Sequence, residues 1–217
     1  MRADDALGSI ALGDRPLLVC DVDDVVLEFV APFERFLTAR EMRLIPRSFR
    51  LHGNIVSLCD DVQATRDEVQ ALIGAFFDEQ EGWQTPAASA CEALASIAKV
   101  ADVVFLTAMA PRHYAQRRRL LDRLGLAYPL LASEDAKGPL VQRLHSNRRQ
   151  PLAFVDDMIG NLASVRDSVP ECLLVHLQPK SELHRFAPKT PDHAHCVADW
   201  LEADALIRRH FDTPGDR

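Results

Sequence analysis

Five short apolar runs, at 17–20, 103–106, 128–132, 152–155 and 172–177, are separated by stretches long enough to hold a helix each, and that spacing leaves little choice of fold. Runs of this length, rich in Val, Leu and Phe and without strict alternation, suit strands covered on both faces. Parallel neighbours need a crossover of a dozen or more residues, usually a helix. Helical periodicity at 88–100, 111–124, from 137, at 159–169 and at 200–211 supplies such crossovers. The pattern predicts an α/β chain built on a doubly wound parallel sheet.

The first run enters three carboxylates, in Leu17-Leu18-Val19-Cys20-Asp21-Val22-Asp23-Asp24. Ligands of open parallel sheets gather outside the carboxyl ends of the strands, which puts Asp21 and Asp23 at a binding rim. Two unit charges about 4 Å apart repel by roughly 4 kcal/mol at an effective dielectric of about 20. A hard divalent cation with oxygen ligands offsets that cost, and Mg²⁺ typically takes one or two carboxylates and shares its remaining shell with a substrate phosphate. Taken alone, the stretch also reads as a solvated acidic turn. The other runs add to it: the second exits at Thr107-Ala108, the fourth at Asp156-Asp157, and Lys137 opens the helix after the third.

The chain has 217 residues and a formal charge of -7, and phosphate contacts demand clustered Lys and Arg, so an electrostatic grip on nucleic acid is not expected. The run Arg117-Arg118-Arg119 reads as a solvated helix face. Five cysteines, odd in number and without a C-x-x-C pair, point to reduced, mostly buried thiols rather than to disulfides or zinc. The N-terminus has no signal-like apolar region, and no apolar run reaches the roughly 20 residues that span a bilayer. A cytoplasmic protein without membrane contact is the expectation; oligomeric state is left open.

Residues 1–14 read as a loose arm. Apolar residues at helical spacing, Phe29, Phe33, Phe36 and Leu37 and then Val62, Val69, Leu72, Ile73, Phe76 and Phe77, make 28–83 a mainly helical insert. The core then comprises 15–27 and 84–217. Inside the insert lies a basic loop, Ile45 to Asn54, whose Arg47, Arg50 and His52 are candidates for an anionic substrate; a solvated connection is the competing reading. Residues 178–195 are punctuated by Pro and His and read as irregular surface, with His184, His193 and His195 as exposed loop histidines.

The ordered set Asp21-Val22-Asp23, Thr107-Ala108, Lys137 and Asp156-Asp157-Met158-Ile159-Gly160-Asn161 resembles the four motifs of the haloacid dehalogenase superfamily, over roughly residues 15–177. The resemblance implies a Rossmann-like core with a small α-helical cap, and a phosphatase that uses Mg²⁺. It makes Asp21 the nucleophile that forms an aspartyl-phosphate, and Asp23 first the acid for the leaving alcohol and then the base for water. Thr107, the Ala108 amide and Lys137 would hold the phosphoryl group. Asp21, the Asp23 carbonyl and Asp157 would hold the metal, with Asp156 and Asn161 supporting them. The family commonly has Gly then Thr after its second Asp, where this chain has Asp24 and Val25; Asp tolerates the left-handed backbone such a turn needs. A carboxylate at Asp23 favours phosphate over carbon–halogen chemistry, because the dehalogenase branch lacks one there. The expected partner is a small phosphorylated metabolite. The alternatives are a non-hydrolytic phosphometabolite-binding protein and a receiver-like phosphoacceptor, the latter with its motifs in a different order.

Overall fold

The computed structural model describes residues 7–146 and 148–212. Residues 1–6, most of the arm's first half, lie outside that range; Leu7, Ile10 and Leu12 pack against the core. Six strands form one sheet: β1 (Leu17–Cys20), β4 (Asp102–Thr107), β5 (Leu130–Ala132), β6 (Leu152–Asp156), β7 (Leu173–Leu177) and β8 (His195–Val197). Its order is β5-β4-β1-β6-β7-β8, parallel throughout. Chain order reverses at β1, which pairs with β4 on one side and β6 on the other. A crevice therefore opens above these three strand ends.

Successive strand residues face opposite sides, and both sides are buried. Leu18 and Cys20 pack under α4 (Ala90–Ile97), α5 (Tyr114–Arg123) and α8 (Trp200–Asp212), against Leu94, Leu120, Trp200 and Ile207. Leu17 and Val19 pack under α6 (Lys137–His145) and α7 (Ile159–Ser168), against Leu140, Val141, Leu162 and Val165. Full burial of a Leu or Phe side chain stabilises by about 1.5–3 kcal/mol, so this double-sided layer holds the strand ends in place. The α6–α7 pair approaches closely at Gly138, whose N–H donates to Ser164 Oγ at 3.0 Å.

After β1 the chain turns back on itself: Val22 O accepts from the N–H groups of Val26 (2.9 Å) and Leu27 (2.8 Å), and Asp24 sits at φ 56. The insert then holds α1 (Val30–Thr38), α2 (Arg66–Asp78), α3 (Gln80–Trp83) and a hairpin, β2 (Met42–Leu44) with β3 (Ile55–Ser57). Its own core is aromatic, with Phe33 and Phe36 stacked and each edge-to-face with Phe76. The outgoing and returning chains run side by side, Glu28 N donating to Thr85 O and Ala87 N to Val26 O, each at 2.9 Å.

The helical reading of 28–83 lacked the β2–β3 hairpin, and Val62, counted in the apolar stripe, is exposed ahead of α2. The reading of 178–195 as irregular lacked β8, whose first residue is His195. Among the cysteines only Cys20 and Cys172 are buried, while Cys59 and Cys196 are exposed and all five are free. No helix among the described residues is long and apolar enough to cross a membrane.

Candidate active site

Asp21 leaves the end of β1, its N–H donating to Val155 O of the neighbouring strand at 2.9 Å. Its Oδ1 lies 2.6 Å from Lys137 Nζ, which lies 2.7 Å from Asp156 Oδ2. Burial works against the Lys137 ammonium, yet Asp156 and Asp21 outweigh it and hold its pKa above the ordinary lysine value. Asp156 is saturated: Oδ1 also accepts from Met158 N at 2.8 Å, and Asn161 Nδ2 bridges both oxygens at 3.0 and 3.1 Å. It therefore orients Lys137 from beneath. Asp157, one residue on, faces the crevice instead.

Asp23 is held from behind. Arg117, fully buried in α5, grips it with two nitrogens, Nη1 to Oδ2 at 3.1 Å and Nη2 to Oδ1 at 2.8 Å. Gln84 Nε2 donates to Oδ1 at 2.9 Å and Thr107 Oγ1 to Oδ2 at 3.3 Å. Arg117 also donates to the side-chain oxygens of Gln80 and Gln84, both on the chain returning from the insert. The reading of Arg117 as part of a solvated face is thus corrected. A signal was present: Arg117 lies on one helix face with Tyr114, Leu120 and Leu121, whereas Arg119 pairs with the surface residue Glu81.

Asp24 caps α1, its Oδ1 accepting from Phe29 N at 2.7 Å and Val30 N at 3.2 Å. His184 Nε2 lies 3.3 Å from Asp157 Oδ2 and 3.9 Å from Asp24 Oδ2. His184 is therefore a nearly buried member of the site, not an exposed loop residue, while His193 and His195 are exposed. Nothing in local spacing could reveal this, since the contact is across space. Burial raises the carboxyls of Asp21, Asp24 and Asp157 above the ordinary range, Asp24 to about 6, and neighbouring carboxylates add to the rise. Burial lowers His184, with Asp24 pulling the other way.

A cavity of about 410 Å³ opens over these groups, lined by Asp21, Asp23, Asp24, Lys137 and Asp157 at one end. The remaining wall is largely apolar, with Phe29, Phe49, Leu51, Phe77 and Met109, and with Arg50 as a cation. Ala108 and Asn161 also line it. Thr107 borders it through Asp23 and is itself fully buried, its Oγ1 accepting from Met109 N at 3.1 Å. Arg47 and His52 are exposed and lie outside the lining. The loop that carries them is knit by buried Asn54, whose amide donates to Ser48 O at 2.8 Å and Arg50 O at 2.7 Å.

Ligand atoms of Asp21, Asp156 and Asp157 lie within 4.8 Å of one another. Asp156 is committed to Lys137, which leaves Asp21 and Asp157 as the side chains that could hold a hard cation. That oxygen donor set fits Mg²⁺.

No family model matches the chain, and no curated protein matches it in sequence. Solved structures do match. The HAD-hydrolase YfnB from Bacillus subtilis, bound to magnesium, aligns with TM-score 0.59 at 13% identity, over 89% of this chain and 98% of that one. A HAD family hydrolase from Deinococcus radiodurans with bound phosphate and sodium aligns with TM-score 0.57 at 15% identity, over 89% and 95%. L-2-haloacid dehalogenase from Xanthobacter autotrophicus, with chloropropionic acid covalently bound, gives 0.55 at 14%, over 88% and 98%. The chain has the haloacid dehalogenase-like fold.

Proposed function

We propose, with the haloacid dehalogenase-like fold as premise, that this chain is a phosphomonoester hydrolase that works through an aspartyl-phosphate on Asp21. The observation that carries this reading is the close set of Asp21, Lys137 and Asp157 at the polar end of an otherwise apolar cavity. Mg²⁺, held by Asp21, the Asp23 carbonyl and Asp157, would shield charge on the nucleophile and on the phosphoryl oxygens.

Asp21 Oδ attacks phosphorus, a P–O bond to the carboxylate forms, and the ester P–O bond breaks. The departing alkoxide takes its proton from Asp23. In the second half Asp23, now a carboxylate, takes a proton from water, whose oxygen attacks phosphorus and frees Asp21 and inorganic phosphate. Lys137 neutralises charge as it builds on the phosphoryl oxygens, with the Ala108 amide as a further donor, and with Thr107 as another once its hydroxyl proton has left Asp23. Asp156 and Asn161 keep Lys137 aimed. The insert acts as a cap over the cavity, Arg50 among its contributions.

Before it can act as an acid Asp23 must let go of Arg117 and take up a proton from solvent, because in the pair both its oxygens are engaged as acceptors. That ion pair favours one second reading, a protein that accepts phosphoryl on Asp21 and releases it slowly. The apolar wall supports a phosphoester with an apolar or aromatic leaving group over a sugar phosphate. Release of inorganic phosphate from a broad phosphoester panel, with Mg²⁺ and with chelator, tests the proposal. Mg²⁺-dependent turnover of some panel member is expected; release from none would sink hydrolysis and favour the phosphoacceptor.

A further inference from the structure

Five carboxylates converge here: Asp21, Asp23, Asp24, Asp156 and Asp157. Lys137 pairs with Asp21 and Asp156, and Arg117 pairs with Asp23. Among the described residues, the group within ion-pair distance of Asp24 and of Asp157 is the imidazole of His184. All three of these side chains are sheltered, with 12%, 8% and 8% exposure for Asp24, Asp157 and His184.

We propose that Asp24, Asp157 and His184 form a binding position for a divalent transition metal, with His184 Nε2 as its nitrogen ligand. The three residues come from separate loops, after β1, after β6 and after β7, and one donor atom of each lies within 4.8 Å of the others. Atoms bound to one ion at about 2.1 Å lie at most about 4.2 Å apart, a limit that the two His184 separations of 3.3 and 3.9 Å already meet.

His184 and Asp24 are each aimed by a contact outside the set, and the backbone of Asp157 is anchored by one. His184 Nδ1 lies 2.7 Å from Ser181 Oγ, and with Nδ1–H donating there, Nε2 keeps its lone pair toward the carboxylates. Asp24 Oδ1 is fixed by the N–H groups of Phe29 and Val30 at the start of α1, which leaves Oδ2 toward His184. The main-chain oxygen of Asp157 accepts from His176 Nε2 at 3.0 Å. From the cap loop the Phe49 ring covers the imidazole, with centroids 5.3 Å apart.

Carboxylate and imidazole together suit Mn²⁺, Fe²⁺, Co²⁺ or Zn²⁺, whereas Mg²⁺ takes oxygen ligands. The position shares Asp157 with the Asp21-facing one, so the inference deepens the metal assignment of the proposed function and rests on it for that neighbour only. Its test reads a metal–nitrogen bond and not turnover, so failure of either is distinguishable.

The experiment uses the full, tag-free chain stripped of metal. Electron spin-echo spectroscopy of the Mn²⁺-loaded protein should show ¹⁴N coupling from an imidazole. His184→Ala and the bulkier His184→Gln, each checked for an unchanged circular dichroism spectrum, should both lose it. Calorimetric titration should show Co²⁺ binding weakened at least about tenfold in both variants, with Mg²⁺ binding within twofold of the parent. No ¹⁴N coupling in the parent, coupling that survives in either folded variant, or equal weakening of Co²⁺ and Mg²⁺ would overturn the site.

Discussion

Arg117→Met removes the guanidinium while keeping an unbranched chain of similar bulk in α5. Breaking a buried ion pair by deleting one partner costs about 3–5 kcal/mol, because the other charge stays behind. Asp23 retains Gln84 and Thr107 as donors and is 20% exposed, which places its share near the lower end, at about 3 kcal/mol. Gln80 and Gln84 each lose a donor to a buried oxygen, adding about 1 kcal/mol apiece. The expected loss is about 5 kcal/mol, or about 10–20 °C in melting temperature for a chain of this size. Urea unfolding measures it, and a double-mutant cycle with Asp23→Asn isolates the pair. A coupling energy of at least about 1.5 kcal/mol is expected. A single-variant loss under about 1 kcal/mol, or strictly additive variants, would refute the view that Arg117 restrains Asp23.

Lys137→Ala strips the ammonium from between Asp21 and Asp156 and should lower kcat/KM by at least about 100-fold while weakening phosphate inhibition; kinetics unchanged in both would make Lys137 a bystander. Gly138→Ala would place a methyl 2.0 Å from Ser164 O, so the α6–α7 contact must open, at about 1–3 kcal/mol or more; an unaltered denaturation midpoint would contradict that packing. In chelator, the Asp24 carboxyl has a folded pKa of about 6 against 3.8 unfolded, so it contributes stability that is fully present below about pH 4 and is lost as pH rises through about 6. In full that is about 3 kcal/mol, and Asp24→Asn should flatten the profile; an identical profile in the variant would count against it.

Five of the sheet's six strands were legible because each lies in a compact apolar run, buried on both faces, with a helix-length crossover beside it. The meeting of Asp21, Asp23, Lys137 and Asp157 at one cavity was legible as well, because each follows the carboxyl end of a strand in a parallel sheet. β8 left no such mark: His195-Cys196-Val197 is a three-residue edge strand with two exposed side chains. Likewise β2 and β3 have three residues each and are joined by a ten-residue loop without short-turn chemistry, inside a stretch dominated by helical Phe spacing. Arg117 was hidden in a charged triplet that composition marks as surface, although its helix position shares a face with Leu121. His184 belongs to the site through contacts with residues 27 and 160 positions away, and such contacts are invisible to local pattern.

Acid quenching of the turning-over protein, borohydride reduction and peptide mass mapping would test the nucleophile most directly. The reduced acyl-phosphate is expected at Asp21 in the parent, and should disappear in Asp21→Asn together with phosphate release. Turnover with the adduct on another residue, or undiminished turnover in Asp21→Asn, would contradict it.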